Sequence, residues 1–409
     1  RSAATSWRCG PVLTSEPPAL SRVVVSNDSA TRDKASRGSG SAACRHSAMT
    51  AAHPDLLERT AALVAVPSES LHEQVLVDQI EAELRSYDHL VVDRVGDNVV
   101  ARTQLGRPIR VVLGGHTDTV PANGNELPRI DGDVLWGLGS TDMKGGLAVM
   151  LELARRHIAP MLDVSYVFYA REEIAATESG LLELEAERPD LLTGDVAILG
   201  EPTDGAVEAG CQGVIRLAVT LIGARAHTAR AWMGRNAIHR LGHLLAVLDA
   251  YEPRQPVILG CRFHEALLAT HVEGGVAGNV VPDRATVTIS HRFAPDRTLD
   301  EAEAHLMEVL EPLLEPGDSV VVTDRSPAAF PALDHPVVAT LVRRYDLEVS
   351  AKLGWTDVAR FSAWGVPAIN LGPGVASLAH TAEERVERAS LERTFAVLDD
   401  LLATGPSTT

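Results

Sequence analysis

Two early stretches, LLERTAALVAV (56–66) and LVDQIEAELRSY (76–87), repeat apolar residues at helical spacing and predict helices. HLVVDRVGDNVVART (89–103) alternates like a pair of strands. IRVVLGG (109–115) reads as a buried strand, GGLAVMLELARRH (145–157) as a helix with one apolar face, and DVSYVFYA (163–170) as a strand. A helix, GLLELEAERPDLL (180–192), and a strand, DVAILG (195–200), continue the alternation. Strands alternating with helices predict an α/β fold, a mostly parallel sheet with helices on both faces.

Around Gly210 the rhythm changes. GVIRLAVTLIG (213–223) is a long alternating strand, and GRNAIHRLGHLLAVLDAY (234–251) is an amphipathic helix. Two more strands, LLATHVEGG and RATVTISHRFAP, precede a second helix, LDEAEAHLMEVLEPLL, and the strand DSVVVTD. The first style then returns with helix PVVATLVRRY, strand PAINLGPG and helix LERTFAVLDDLLA. The predicted organisation is a larger domain of residues 49–211 and 323–409, interrupted by an inserted α+β domain at 212–322. Residues 1–48 hold ten Ser, seven Lys or Arg and only three acids, without apolar periodicity. They are expected to be a disordered extension outside the fold, upstream of a natural start at Met49; an organelle transit peptide shares their composition.

The 409 residues suffice for two domains, and a formal charge of −18 argues against nucleic acid or an anionic membrane as partner. No run of eighteen apolar residues occurs, so no membrane-spanning helix is predicted. The four cysteines include no CxxC pair, which suits a reducing, cytoplasmic setting.

Charge then matters by position. VVLGG ends at His116 and Asp118, VSYVFYAR at Glu172 and Glu173, VAILG at Glu201, and AINLGPG leads to His380. Ligands of open α/β sheets bind beyond the carboxyl ends of the strands. Asp142 opens the helix after GLGSTDMKGG. Singly, Asp142 could be a helix cap, Glu172 and Glu173 a solvated turn, Glu201 a loop acid and either histidine a surface residue. Together they make an N/O shell for zinc-like divalent ions. His116, Asp142, Glu173, Glu201 and His380 are too many for one tetrahedral ion, and two adjacent ions need a bridging carboxylate, for which Asp142 is the candidate. Asp118, two residues from His116, can accept its second ring N–H, and Glu172 is left free as a general base.

HTDTVP, GLGSTDMKGGLAV, REEI, GEPT and LAH, in that order and spacing, resemble the dinuclear zinc amidohydrolase and aminopeptidase family over about residues 50–403. That family includes acetylornithine deacetylase, aminoacylase, carboxypeptidase G and succinyl-diaminopimelate desuccinylase. AILGEPTDGAVEAGCQGVIRLAV, GARAHTARAWMGRNAIH, GGVAGNVVPD, RFAPDR and GWTDVARF are most similar to the actinobacterial desuccinylase branch. The resemblance implies a metal-dependent amidohydrolase acting on a small N-acyl diamino acid, N-succinyl-LL-2,6-diaminopimelate, with acetylornithine deacetylase or another N-acyl-amino-acid hydrolase as the alternative. It implies two divalent ions, zinc or else cobalt, one on His116 and Glu201, the other on Glu173 and His380, with Asp142 bridging. Glu172 would be the general base and Asp118 would orient His116. The inserted domain would be a dimerisation and lid domain of a homodimer, and His227 would reach the partner's site to polarise the scissile carbonyl. Asn279, Arg292 and Arg360 match substrate-binding positions. The sequence departs from the family where Leu138 replaces an arginine of the glycine-rich turn, and in the spacing of GWTDVARF around Arg360. A non-catalytic metal-binding scaffold would have no need of Glu172.

Overall fold

The computed structural model describes residues 55–406, so the expectation for residues 1–48 lies outside the described part. An eight-stranded sheet is ordered Val91–Val95, Asn98–Arg102, Asp163–Tyr169, Arg110–His116, Val196–Leu199, Ala368–Asn370, Val207–Ala209, Val349–Ala351. The four strands from Asp163–Tyr169 to Ala368–Asn370 run parallel, and antiparallel pairings flank them. All seven residues of Asp163–Tyr169 are buried, as are Val111 to His116 in its neighbour. That continuous apolar character marks a strand covered on both faces. Val111 and Leu113 pack toward helices Leu56–Val64, Gln74–Arg85, Gly145–Arg156 and Arg388–Thr404. Val112 packs on the opposite face, toward helices Gly180–Glu187 and Val358–Ala363. The expected α/β class is the observed one.

A second sheet, ordered Ala266–Gly274, Arg284–Phe293, Gly213–Ile222, Ser319–Ser326, is wholly antiparallel. Helices Ala237–Asp249 and Leu299–Leu310 cover one face through Leu241, Leu244, Leu306 and Leu310 against Ile215, Leu217, Val219 and Ile289. Both helices begin with designed stops. Asn236 accepts the N–H groups of Ile238 and His239, and Thr298 forms a capping box with Glu301. The opposite face carries Val214, Arg216 and Arg292, since Val214 lies across from Arg292.

Several short elements escape the periodicity. A three-stranded sheet joins Arg385–Glu387, Val134–Trp136 and Arg129–Asp131. Each strand has only three residues, too few to show a period. No helix among the described residues is long and apolar enough to cross a membrane.

Candidate metal centre

Two glycines precede His116 at the end of strand Arg110–His116 because side chains press on both. A methyl group added at Gly114 would lie 2.7 Å from Leu199 Cδ2 of the neighbouring strand, and one at Gly115 would collide with Met143 and lie 2.8 Å from Leu147 Cδ2. Gly115 therefore lets the Asp142 turn and the following helix close on the strand end. Gly115→Ala is expected to destabilise the fold by about 1–3 kcal/mol, as overpacking does. Chemical denaturation measures it; an unchanged midpoint would mean the turn does not sit this close.

His116 is 1% exposed, and its Nε2 lies 3.1 Å from Asp142 Oδ1. His380 approaches from the far side, its Nε2 3.4 Å from Asp142 Oδ2 and 2.8 Å from Glu173 Oε1. Ligand atoms of His116, Asp142 and Glu173 all fall within 4.8 Å of one another. Glu201, 6% exposed, holds a buried Oε1 with no hydrogen-bond partner among the described residues. Its carboxyl is pushed up to about 7 by burial and by the charge of Asp142. Burial likewise raises Glu173 and holds Glu172 well above the usual carboxylate range. The His380 imidazole is raised to about 9, chiefly by Asp142. Packed carboxylates that burial drives toward protonation, one with an orphaned oxygen, fit a site for divalent cations.

Two sequence expectations change. Asp142 does not open a helix: the helix is Gly145–Arg156 and has no side-chain cap. Asp142 sits in the turn before it, extended at φ −120° and ψ 93°, because its two oxygens face the two histidines. Nor is the Asp118 carboxylate the nearest acceptor for His116. His116 Nδ1 is 3.0 Å from the Asp118 backbone carbonyl and 3.5 Å from Oδ1. The carboxylate is engaged elsewhere: it accepts N–H bonds from Glu172 and Glu173, each 3.0 Å, and the Ser70 hydroxyl at 2.7 Å. Burial opposes its ionisation, yet His116, Ser70 and the Glu173 N–H hold it at about 2. Asp118 thus ties the end of one strand to the residues leaving the next.

A cavity of about 1030 Å³ is lined by Glu172, Glu173 and His380 together with Arg216, Arg292 and Arg360. Arg292 Nη1 is buried and has no hydrogen-bond partner among the described residues. Arg360 is partly engaged, with Nε donating to Asp357 at 2.7 Å and Nη2 to the Ala176 carbonyl at 2.8 Å. His227 and Asn279 do not line the cavity. They are neighbours on the antiparallel unit, where the Thr228 N–H donates to the Asn279 carbonyl, and both are exposed. The strand-end reasoning passed over Arg216, Asp357 and Glu384. Asp357 lies inside GWTDVARF, and Glu384 follows His380 by four residues, so nearness in sequence to a chemical motif was the available signal.

Residues 112–404 match a profile described as peptidase family M20/M25/M40. A Mycobacterium tuberculosis protein provisionally named succinyl-diaminopimelate desuccinylase DapE is 48% identical, the alignment covering 81% of this chain and 93% of that protein. Succinyl-diaminopimelate desuccinylase of Corynebacterium glutamicum is 40% identical over 85% of this chain and 96% of its own. Among solved structures, a Staphylococcus aureus tripeptidase shares the fold at TM-score 0.70 with 21% identity, over 85% of this chain and 97% of that one. The Bacillus subtilis YxeP protein, a dinuclear metal-binding M20 peptidase, does so at TM-score 0.61 with 17% identity, over 85% and 96%.

Proposed function

We infer the reaction from one premise: the chain belongs to peptidase family M20/M25/M40. The proposed reaction is hydrolysis of N-succinyl-LL-2,6-diaminopimelate to succinate and LL-2,6-diaminopimelate. The hydrolytic chemistry rests above all on Asp142, whose two oxygens face two different histidines beside a free Glu172. The choice of substrate rests on the two relatives named desuccinylases.

In this reading His116 and Glu201 would hold one divalent ion and Glu173 and His380 the other, with Asp142 available to both; zinc suits the donors and cobalt could share them. A bound pair of ions supplies Lewis acidity, lowering the pKa of water and offsetting negative charge on a carbonyl oxygen. Glu172 takes the proton of the attacking water on its carboxylate and delivers it to the amide nitrogen as the C–N bond breaks. Its raised pKa suits a group that must hold a proton between the two steps. Asp118 keeps Glu172 in place through the backbone. Arg292 and Arg360 receive substrate carboxylates, for which guanidinium groups are shaped.

The segment 212–322 is proposed to be the lid and dimerisation domain. Its outer strand, Ala266–Gly274, has a free edge in the sheet order and exposes Leu268 and Val272, which a second copy would cover. His227 and Asn279, absent from their own chain's cavity, would then serve the partner's. A cytoplasmic location accords with buried Cys211 and Cys261 remaining free thiols.

Zinc-loaded protein assayed side by side on succinyl-diaminopimelate and acetylornithine tests the substrate. The expected kcat/KM favours the succinyl compound by about a hundredfold or more, since acetylornithine leaves the buried Arg292 Nη1 unpaired. Preference for acetylornithine would make the chain a deacetylase instead.

A further inference from the structure

We propose that Glu384 is a positioning residue of the metal centre, a clamp that ties the segment carrying His380 to the turn carrying Asp142. The proposal rests on the two-ion reading above.

Three of the five proposed ligands, His116, Glu173 and Glu201, come from the ends of sheet strands or the residues just past them, but His380 and Asp142 stand on irregular backbone. Asp142 is extended within a turn, and His380 takes a left-handed φ of 63°. The short ladder between Arg385–Glu387 and Val134–Trp136 joins the two segments but stops six residues before Asp142. Glu384 carries the tie the rest of the way. It is 1% exposed, and its Oε1 accepts the N–H groups of both Thr141 and Asp142, each at 3.1 Å. Its own carbonyl accepts the N–H of Gly137 at 3.1 Å. The neighbouring residues repeat the link. Thr141 Oγ1 donates to the Arg385 carbonyl at 2.6 Å, and Asn125 Nδ2 donates to the Thr381 carbonyl at 3.1 Å. On its other side the turn is anchored by Lys144, whose Nζ donates to the carbonyls of Leu63 and Val66 at 3.2 and 2.8 Å. The turn is therefore held between the first helix and the His380 segment. Of these ties, the Glu384 carboxylate is the one that holds the backbone of Asp142 itself.

The two ions should depend on this clamp unequally. His116 and Glu201 follow the parallel strands Arg110–His116 and Val196–Leu199 directly, so the ion they hold has two ligands fixed by the sheet. The other ion takes both Asp142 and His380 from the clamped segments. Loosening the clamp should weaken that ion first. Groups that orient ligands without touching the metal are commonly worth about 10–100-fold in affinity.

The test is a competitive zinc titration of chelator-stripped full-length protein against a zinc-binding indicator, for wild type, Glu384→Ala and Glu384→Gln. Wild type is expected to take two ions. Glu384→Ala is expected to keep the tighter ion and to lose about 10–100-fold in affinity for the other. Its kcat should then climb with added zinc over concentrations at which wild type is already saturated. Glu384→Gln retains a carbonyl oxygen for the two N–H donors and should stay within a few fold of wild type at both sites. If Glu384→Ala does not fold, Glu384→Asp, which is one methylene too short to reach, should show the same one-site loss. Unchanged affinities in the shortened variants would overturn the proposal, as would a Gln variant as weak as Ala, because the carboxylate charge rather than the tie would then matter. Wild type that takes a single ion sinks the two-ion reading and this proposal with it. Wild type with two ions and unaffected variants sinks this proposal alone.

Discussion

Glu172→Gln should cost about 10²–10⁴-fold in kcat while the protein still binds both ions. Gln has the shape of Glu, so the cavity wall keeps its form, but the amide cannot accept the water's proton. The backbone N–H of residue 172 stays bonded to Asp118 Oδ1, 3.0 Å away, so the substitution leaves the neighbouring Glu173 in place. Tenfold in rate is about 1.4 kcal/mol, so the loss amounts to about 3–5 kcal/mol of transition-state stabilisation. KM should change little, since Glu172 has no assigned part in holding the substrate. Steady-state kinetics paired with metal analysis of the same sample checks it. A variant with normal kcat would take the general base away from Glu172, and one that lost metal would make Glu172 a ligand.

Asp142→Ala should be as damaging by a different route. Among the described residues, Asp142 is the one carboxylate that faces both histidines, at 3.1 Å and 3.4 Å. Without it the two ions share no ligand, and the repulsion between them is no longer offset. The variant is expected to retain at most one ion. The Lewis-acid contribution to such reactions is worth several kcal/mol, so turnover should fall by about a thousandfold or more. Stability should report the same loss. A ligand present at a hundred times its Kd stabilises the fold by about 2.7 kcal/mol, so zinc should raise the wild-type Tm well above that of chelated protein. The Asp142→Ala variant should show a clearly smaller rise. An equal rise in both would mean that the ions are held without Asp142.

The long periodic segments were the legible part of the fold. Leu56–Val64, Gly145–Arg156 and Asp163–Tyr169 stand where apolar spacing puts them, because burying one face of a helix or both faces of a strand imprints a period. The strands at Val134–Trp136 and Arg385–Glu387 were not legible, being paired by backbone bonds over three residues apiece. Within the site, residue types at two strand ends and at one expected helix start were enough to nominate His116, Glu173 and Asp142, which the fold gathers within 4.8 Å. Hydrogen-bond partners were not. Whether Asp118 meets His116 through its carboxylate or its carbonyl depends on how Ser70 and the backbone at residues 172–173 compete for that carboxylate. Glu384 was silent for the same reason: its partners are 242 and 243 residues away in sequence.

The central claim is that separate strand ends, one turn and one loop converge on a pair of metal ions bridged by Asp142. Anomalous diffraction at the zinc edge, from crystals of the zinc-loaded chain, measures this directly. The expected result is two peaks about 3.5–4 Å apart, one beside His116 and Glu201, the other beside Glu173 and His380, with Asp142 between them. A single peak, or a pair that does not share Asp142, would contradict it.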